Sequence, residues 1–327
     1  MLSRVANSIY WMSRYLERAE NVARFIGVNL HLILDMPSEF GEQWAPLVNI
    51  SGDHELFSRR YKSPTRENVL HFLTFDRDNP NSILSSVRNA RENARSVREI
   101  ISSEMWEQAN RFYLLVMDAA SNKSVSENPQ DFYTAVKMQS HLFDGITEAT
   151  MSHGEAWHFL QVGELLERAD KTSRILDVKY FILLPDAKDV GSTIDNIQWA
   201  ALLKSASALE MYRKHSKQID PTKVADFLIL NRDFPRSVHS CLSRAAYSLH
   251  AITGSPLDAF SNKAEQRLGR LLAELNYTQI DEIIHGGLHE FLDGLQTRLN
   301  QIDDAVFETF FTLRPLTGSS SQYQSQI

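Results

Sequence analysis

Ser3-Arg4-Val5-Ala6-Asn7-Ser8-Ile9-Tyr10-Trp11-Met12-Ser13-Arg14-Tyr15-Leu16-Glu17-Arg18-Ala19-Glu20-Asn21-Val22-Ala23-Arg24-Phe25-Ile26-Gly27-Val28-Asn29-Leu30 is the stretch that decides the fold. Its apolar side chains Val5, Ile9, Met12, Leu16, Ala19, Ala23, Ile26 and Leu30 follow one another at alternating steps of four and three, the period of one helix face. The spacing predicts a helix over 3–34. A second stripe, Trp11, Tyr15, Val22 and Phe25, widens the apolar face beyond what a surface helix needs, so a core helix with neighbours on two sides is expected. Tyr10, Arg14, Glu17, Asn21 and Arg24 share the polar face, while Arg18 falls on the second stripe. Adjacent residues differ by about 100° around a helix, so Glu17 and Arg18 do not pair with each other. A partly buried Arg18 requires a carboxylate or carbonyl partner, because an unpaired charge taken out of water costs several kcal/mol.

That partner is suggested by an internal repeat. Leu16-Glu17-Arg18-Ala19-Glu20 recurs 150 residues later as Leu166-Glu167-Arg168-Ala169-Asp170, and Arg24 recurs as Arg174. Phe159, Val162, Leu166, Ala169, Ser173, Leu176 and Tyr180 repeat the core stripe. At an offset of 155, Arg77-Asp78-Asn79-Pro80-Asn81-Ser82 matches Arg232-Asp233-Phe234-Pro235-Arg236-Ser237, and Gln43-Trp44-Ala45 matches Gln198-Trp199-Ala200. Three blocks in one order imply two duplicated helical halves, 1–150 and 151–312, packed as one unit, with a pseudo-twofold axis as the simplest relation and a flexible tail over 313–327. Glu167, Asp170 or a helix C-terminus from the second half then supplies the partner of Arg18. Further helices are expected over 80–102, 129–150, 154–184, 193–216 and 257–312, the last broken near Asn276 and Gly286-Gly287. Asn79-Pro80, Asn128-Pro129 and Asp220-Pro221 read as helix starts. The fold class is all-α, a long-helix bundle.

Composition agrees and excludes several functions. The chain has 327 residues, 43% of them hydrophobic, a formal charge of −7, and only 13 Gly and 10 Pro for the turns that many short strands would need. The single Cys241 excludes an intramolecular disulfide and a thiolate metal cage, and the start lacks the apolar core of a secretory signal, so a cytoplasmic location is expected. The longest apolar run, 180–185, is far too short to span a membrane. Net negative charge without a long basic run gives no footprint for nucleic acid.

Chemistry-bearing patterns are sparse. The Arg-Asp-x-Pro-x-Ser elements place Arg77 and Arg232 beside helix starts, where free N–H groups favour an anion, although capping alone accounts for the Asp, Pro and Ser. Arg88, Arg91, Arg95 and Arg98 form a basic stripe that the second half replaces with Ser243, Ala246, His250 and Thr253. The stripe is either a solvated face or an anion site confined to the first half. Glu155/His158 and Glu282/His285 have the Glu-x-x-His spacing of di-iron bundles, but Glu155 and Glu167 lie about 18 Å apart on one helix at 1.5 Å per residue, so no metal site is expected. His285 and His289 flank Gly286-Gly287, which breaks the helix that a two-His clamp would need. Cys241, near Leu242 in an apolar helix, reads as a buried structural thiol. No Ser/His/Asp elbow, phosphate-cradling loop or dinucleotide fingerprint is present, and no cofactor is expected.

Met1-Leu2-Ser3-Arg4-Val5-Ala6, Tyr10 to Asn21, Trp157-His158-Phe159 and Gly163 to Asp170 together resemble the bacterial alpha-E family, all-helical proteins named for a Glu-Arg motif. Arg91-Glu92-Asn93, Arg95, Arg98, Trp106 and Asn110 are similar to the family's central block. The resemblance covers nearly the whole chain. It implies association with a circularly permuted ATP-grasp ligase, often with a transglutaminase-like cysteine peptidase nearby, in an amide-forming or peptide-modifying system. The motif maps onto Glu17-Arg18 and Glu167-Arg168, and no catalytic role travels with it.

Three functions follow as expectations. The leading one is an accessory protein that binds the ligase, or its peptide-like substrate, through a groove lined by Glu17, Arg18, Arg91, Arg95, Glu167 and Arg168. The second is an enzyme of that pathway using Glu17 or Glu167 as general acid or base with Arg partners. The third is a purely structural helical bundle.

Overall fold

A computed structural model of the chain describes residues 1–35, 43–122, 128–181 and 192–312, so the expected tail and the end of the expected 154–184 helix lie outside the described residues. Among the described residues every regular element is helical: α1 (Ser3–Asp35), α2 (Ala45–Ser51), α3 (His54–Arg60), α4 (Arg66–Thr74), α5 (Ile83–Ser96), α6 (Ser103–Ser121), α7 (Pro129–Thr150), α8 (Glu155–Phe181), α9 (Thr193–Ser205), α10 (Leu209–His215), α11 (Pro221–Ile229), α12 (Val238–Thr253), α13 (Lys263–Tyr277), α14 (Ile280–Gly286) and α15 (Leu288–Val306), closed by a π-helical turn over Phe307–Phe311. None is long and apolar enough to cross a membrane.

The two long helices α1 and α8 lie against each other at the centre. On the α1 side α5 and α7 pack against it and α6 bridges them, while α12 and α15 cover α8 and α13 joins those two. The short helices cross between the sides: α2 packs on α8, and α9 packs on α1. Buried apolar side chains form one contiguous cluster from Ala6 to Val306. The crossing is close because of Gly163. A Cβ there would lie 2.4 Å from the Tyr10 carbonyl oxygen and 2.5 Å from Ser13 Oγ, so only a bare α-carbon lets α8 approach the α1 backbone.

Element boundaries follow local chemistry. Ser82 and Ser237 cap α5 and α12 by accepting from the N–H groups of Ser85 and Ser240, each at 3.1 Å. Asp220 caps α11, accepting from Lys223 N–H at 3.0 Å. The expected 80–102 helix is shorter than its composition suggests. Residues before it form turns, with Asp78 N–H donating to Asp76 and Asn81 N–H to Asn79, so Ser82 rather than Asn79 opens the helix. The expected 193–216 helix is two helices, separated at Ser207, whose φ of 51° is left-handed. The 257–312 segment begins at the Asn262 cap and breaks before Gln279 and at Gly287, next to both expected positions.

Candidate functional site

The polar face of α1 is not solvated. Tyr10, Arg14, Glu17, Asn21 and Arg24 are all buried, because α1 turns that face onto α8 and the elements beside it. The two Glu-Arg motifs meet there, and their charges cross over. Arg168 grips Glu17 with two hydrogen bonds, Nε to Oε1 at 3.1 Å and Nη2 to Oε2 at 2.7 Å. Arg18 grips Glu167 in the same two-pronged way, at 2.7 and 2.9 Å. Each motif therefore supplies the carboxylate for the other's guanidinium.

Further groups converge on both carboxylates. Glu17 Oε1 also accepts from Arg236 Nη1 at 2.9 Å and Asn21 Nδ2 at 2.7 Å. Glu167 Oε2 accepts from Arg14 Nε at 3.0 Å, and Lys171 Nζ lies 3.5 Å from Oε1. The Glu17 and Glu167 side chains are 1% and 0% exposed, so neither oxygen pair is offered to solvent. Glu20 joins the same layer, accepting from Arg236 Nη2 at 2.6 Å and from Arg24, with His141 Nε2 at 2.8 Å on its outer edge. Arg168 also reaches Glu164 at 2.5 Å, and Arg14 pairs with Asp303 of α15, to which the Tyr10 hydroxyl also donates.

Burial by itself pushes these carboxyls up, and the surrounding cations more than reverse it. Arg168 and Arg236 hold Glu17 below the ordinary carboxylate range. Arg18, Lys171 and Arg14 hold Glu167 well below it. Arg236, the His141 hydrogen bond and Arg24 do the same for Glu20. Asp170, held by Lys171 and Arg174, comes down to about 2. These carboxylates stay ionised and are poor proton acceptors. The arrangement binds the two long helices to each other.

Of the residues expected at one groove, Glu17, Arg18, Glu167 and Arg168 come together, but they form a sealed layer rather than a groove. Arg91 and Arg95 do not join them. Arg91 donates to Asn110 on α6 at 2.7 Å and lies over the rings of Tyr113 and Trp106, while Arg95 is exposed and pairs with Glu92. Arg77 and Arg232 are exposed as well. In each element the residue before the N-cap serine, not the first arginine, reaches the layer. That preceding residue is Asn81 in one element and Arg236 in the other. Asn81 Oδ1 accepts from Arg18 at 2.6 Å, and Arg236 holds Glu17 and Glu20. Arg236, Asn81, Glu20 and Asp303 are thus members of the layer that sequence reasoning did not single out. The position immediately before the repeated serine was the available signal for the first two.

Cys241 is buried, donates to the Pro235 carbonyl at 3.3 Å, and has its thiol pushed up by burial to about 12, as suits a structural residue. His285 bonds the Asp281 carbonyl and His289 bonds Asp177, so the two do not converge.

Comparison with known proteins places this geometry in a family. A family model described as a predicted alpha-helical domain with a conserved ER motif matches residues 1–311. Proteins named as uncharacterized from Mycobacterium bovis and from a strain of Mycobacterium tuberculosis are each 22% identical to the chain over 96% of its length, and one from a second Mycobacterium tuberculosis strain is 21% identical. The chain spans 38% of the length of these relatives. No solved structure matches it. The sequence carries two Glu-Arg dipeptides, and both sit in the one buried layer. The family match extends across that layer and nearly all of the described residues, and the chain belongs to the Alpha-E family.

Proposed function

We propose that the chain is a non-catalytic, partner-binding helical module of a cytoplasmic amide-forming, peptide-modifying system, serving a circularly permuted ATP-grasp ligase and working alongside a transglutaminase-like peptidase. The observation that carries this reading is that each Glu-Arg motif is consumed by the other. With every oxygen of Glu17 and Glu167 engaged by at least one cation, their side chains buried and their proton affinity lowered, neither residue is placed as an acid or base for a substrate. The chain's share of its longer relatives fits a module that works beside other domains or partners. The reciprocal pairing also favours reading the chain as two halves, 1–150 and 151–312, facing each other across a pseudo-twofold axis.

Since the motifs are buried, recognition falls to cations outside that layer, the exposed Arg77, Arg95 and Arg232 and the half-buried Arg91, which suit acidic groups on the ligase. The test is affinity capture from native cytoplasm with the wild type and an Arg91→Glu/Arg95→Glu variant, the bound proteins being identified by mass spectrometry. Recovery of an ATP-grasp ligase by the wild type, and its loss from the folded variant, is the expected result. A folded wild type that recovers no ligase overturns the partnership, and equal recovery by the variant overturns the proposed contact surface.

A further inference from the structure

A cleft of about 360 Å³ opens between the first turns of α8 and one face of α12, lined by Trp157, Gln161, Ser243, Arg244, Tyr247 and Ser248. Its volume lies in the lower part of the roughly 300–1,000 Å³ range of small-molecule sites. The lining contains one guanidinium, two serine hydroxyls, an amide and two aromatic side chains, one of them the phenol of Tyr247, and no acidic residue. Arg244 makes a 3.4 Å hydrogen bond to Gln161 Oε1 and has no carboxylate partner among the described residues. Trp157 Nε1–H is buried without an acceptor, and His158 Nδ1 beside it is buried without a hydrogen-bond partner. Aromatic surface is present as well: Tyr247 is 59% exposed, and Trp157, one face of which is held by His153 at 4.3 Å, lines the cleft.

We propose that this cleft binds a small carboxylate with a flat apolar body, its carboxylate on Arg244 and its body against Trp157 and Tyr247. The guanidinium fork matches a planar carboxylate, and a single lining cation suits one negative charge rather than the two of a phosphate monoester. Nothing in this assignment depends on the ligase partnership. Gln161 links the cleft inward, since its Nε2 lies 3.5 Å from Glu164, which in turn holds Arg168 of the buried layer.

The test uses the full chain and tryptophan fluorescence, with 3-phenylpropionate, its uncharged amide 3-phenylpropionamide, and inorganic phosphate as probes. The acid is expected to give a saturable change and to bind at least about tenfold more tightly than the amide. Arg244 is exposed, so Arg244→Gln leaves the fold intact and is expected to remove that advantage, while Trp157→Phe abolishes the optical response. No saturable response to the acid, equal binding of acid and amide, phosphate binding as tight as the acid, or full acid affinity in Arg244→Gln would each overturn the proposal.

Discussion

Gly163 and Arg236 show what single side chains decide here. An added methyl at Gly163 meets the Tyr10 carbonyl, and a helix backbone cannot swing aside as a flexible side chain can. Gly163→Ala is expected to lower the unfolding free energy by about 3 kcal/mol, read as a shifted urea midpoint; an unchanged midpoint would mean that α8 can slide off α1 without loss. Arg236 stands between two buried carboxylates, so Arg236→Gln leaves Glu17 and Glu20 short of a cation and is expected to cost about 3–5 kcal/mol. Arg95→Ala, on an exposed arginine paired to Glu92, should change stability by less than about 0.5 kcal/mol. The four motif residues were legible in the sequence because Arg18, set on an apolar stripe, demanded a partner that the repeat offered. Arg236 was not, since it and Arg232 share one short element and only the tertiary path of the chain tells which turns inward.

Among elements, hydrophobic periodicity found α1 as a core helix with neighbours on two sides, the repeat of its stripe found α8, and composition with the Asn128-Pro129 start found α7. A charged face buried against another charged face has the same sequence period as a solvated one, so the period alone does not tell that the polar stripe of α1 is core. Composition likewise overran α5, where Asp76 and Asn79 side chains hold turns that compete with the helix until Ser82 caps it. Both serines cap in the same way, so Ser82→Ala and Ser237→Ala should each cost about 1 kcal/mol in urea unfolding, with equal effects at the two helix starts. A loss confined to one of them would mean that the other helix start is held by its neighbours alone.

The whole molecule is organised around a charged layer inside an apolar shell, and its stability should therefore follow pH in a definite sense. Asp170 has a pKa of about 2 against an ordinary 3.8, so its contribution is fully present above about pH 5 and is lost as pH falls toward 2, on the order of 2 kcal/mol. Glu17, Glu20 and Glu167 are lowered too and add to the loss in the same direction. Urea midpoints that do not fall between pH 5 and pH 3 would contradict this. The central claim, that the two Glu-Arg motifs exist to hold α1 and α8 together by crossed ion pairs, is tested most directly by a double-mutant cycle. Glu17→Gln, Arg168→Gln and the double variant are compared with the wild type by urea unfolding at pH 7. Each single change is expected to cost about 3–5 kcal/mol, and the double change clearly less than their sum, with a coupling energy of at least about 1 kcal/mol. Additive losses, or single variants as stable as the wild type, would contradict the account.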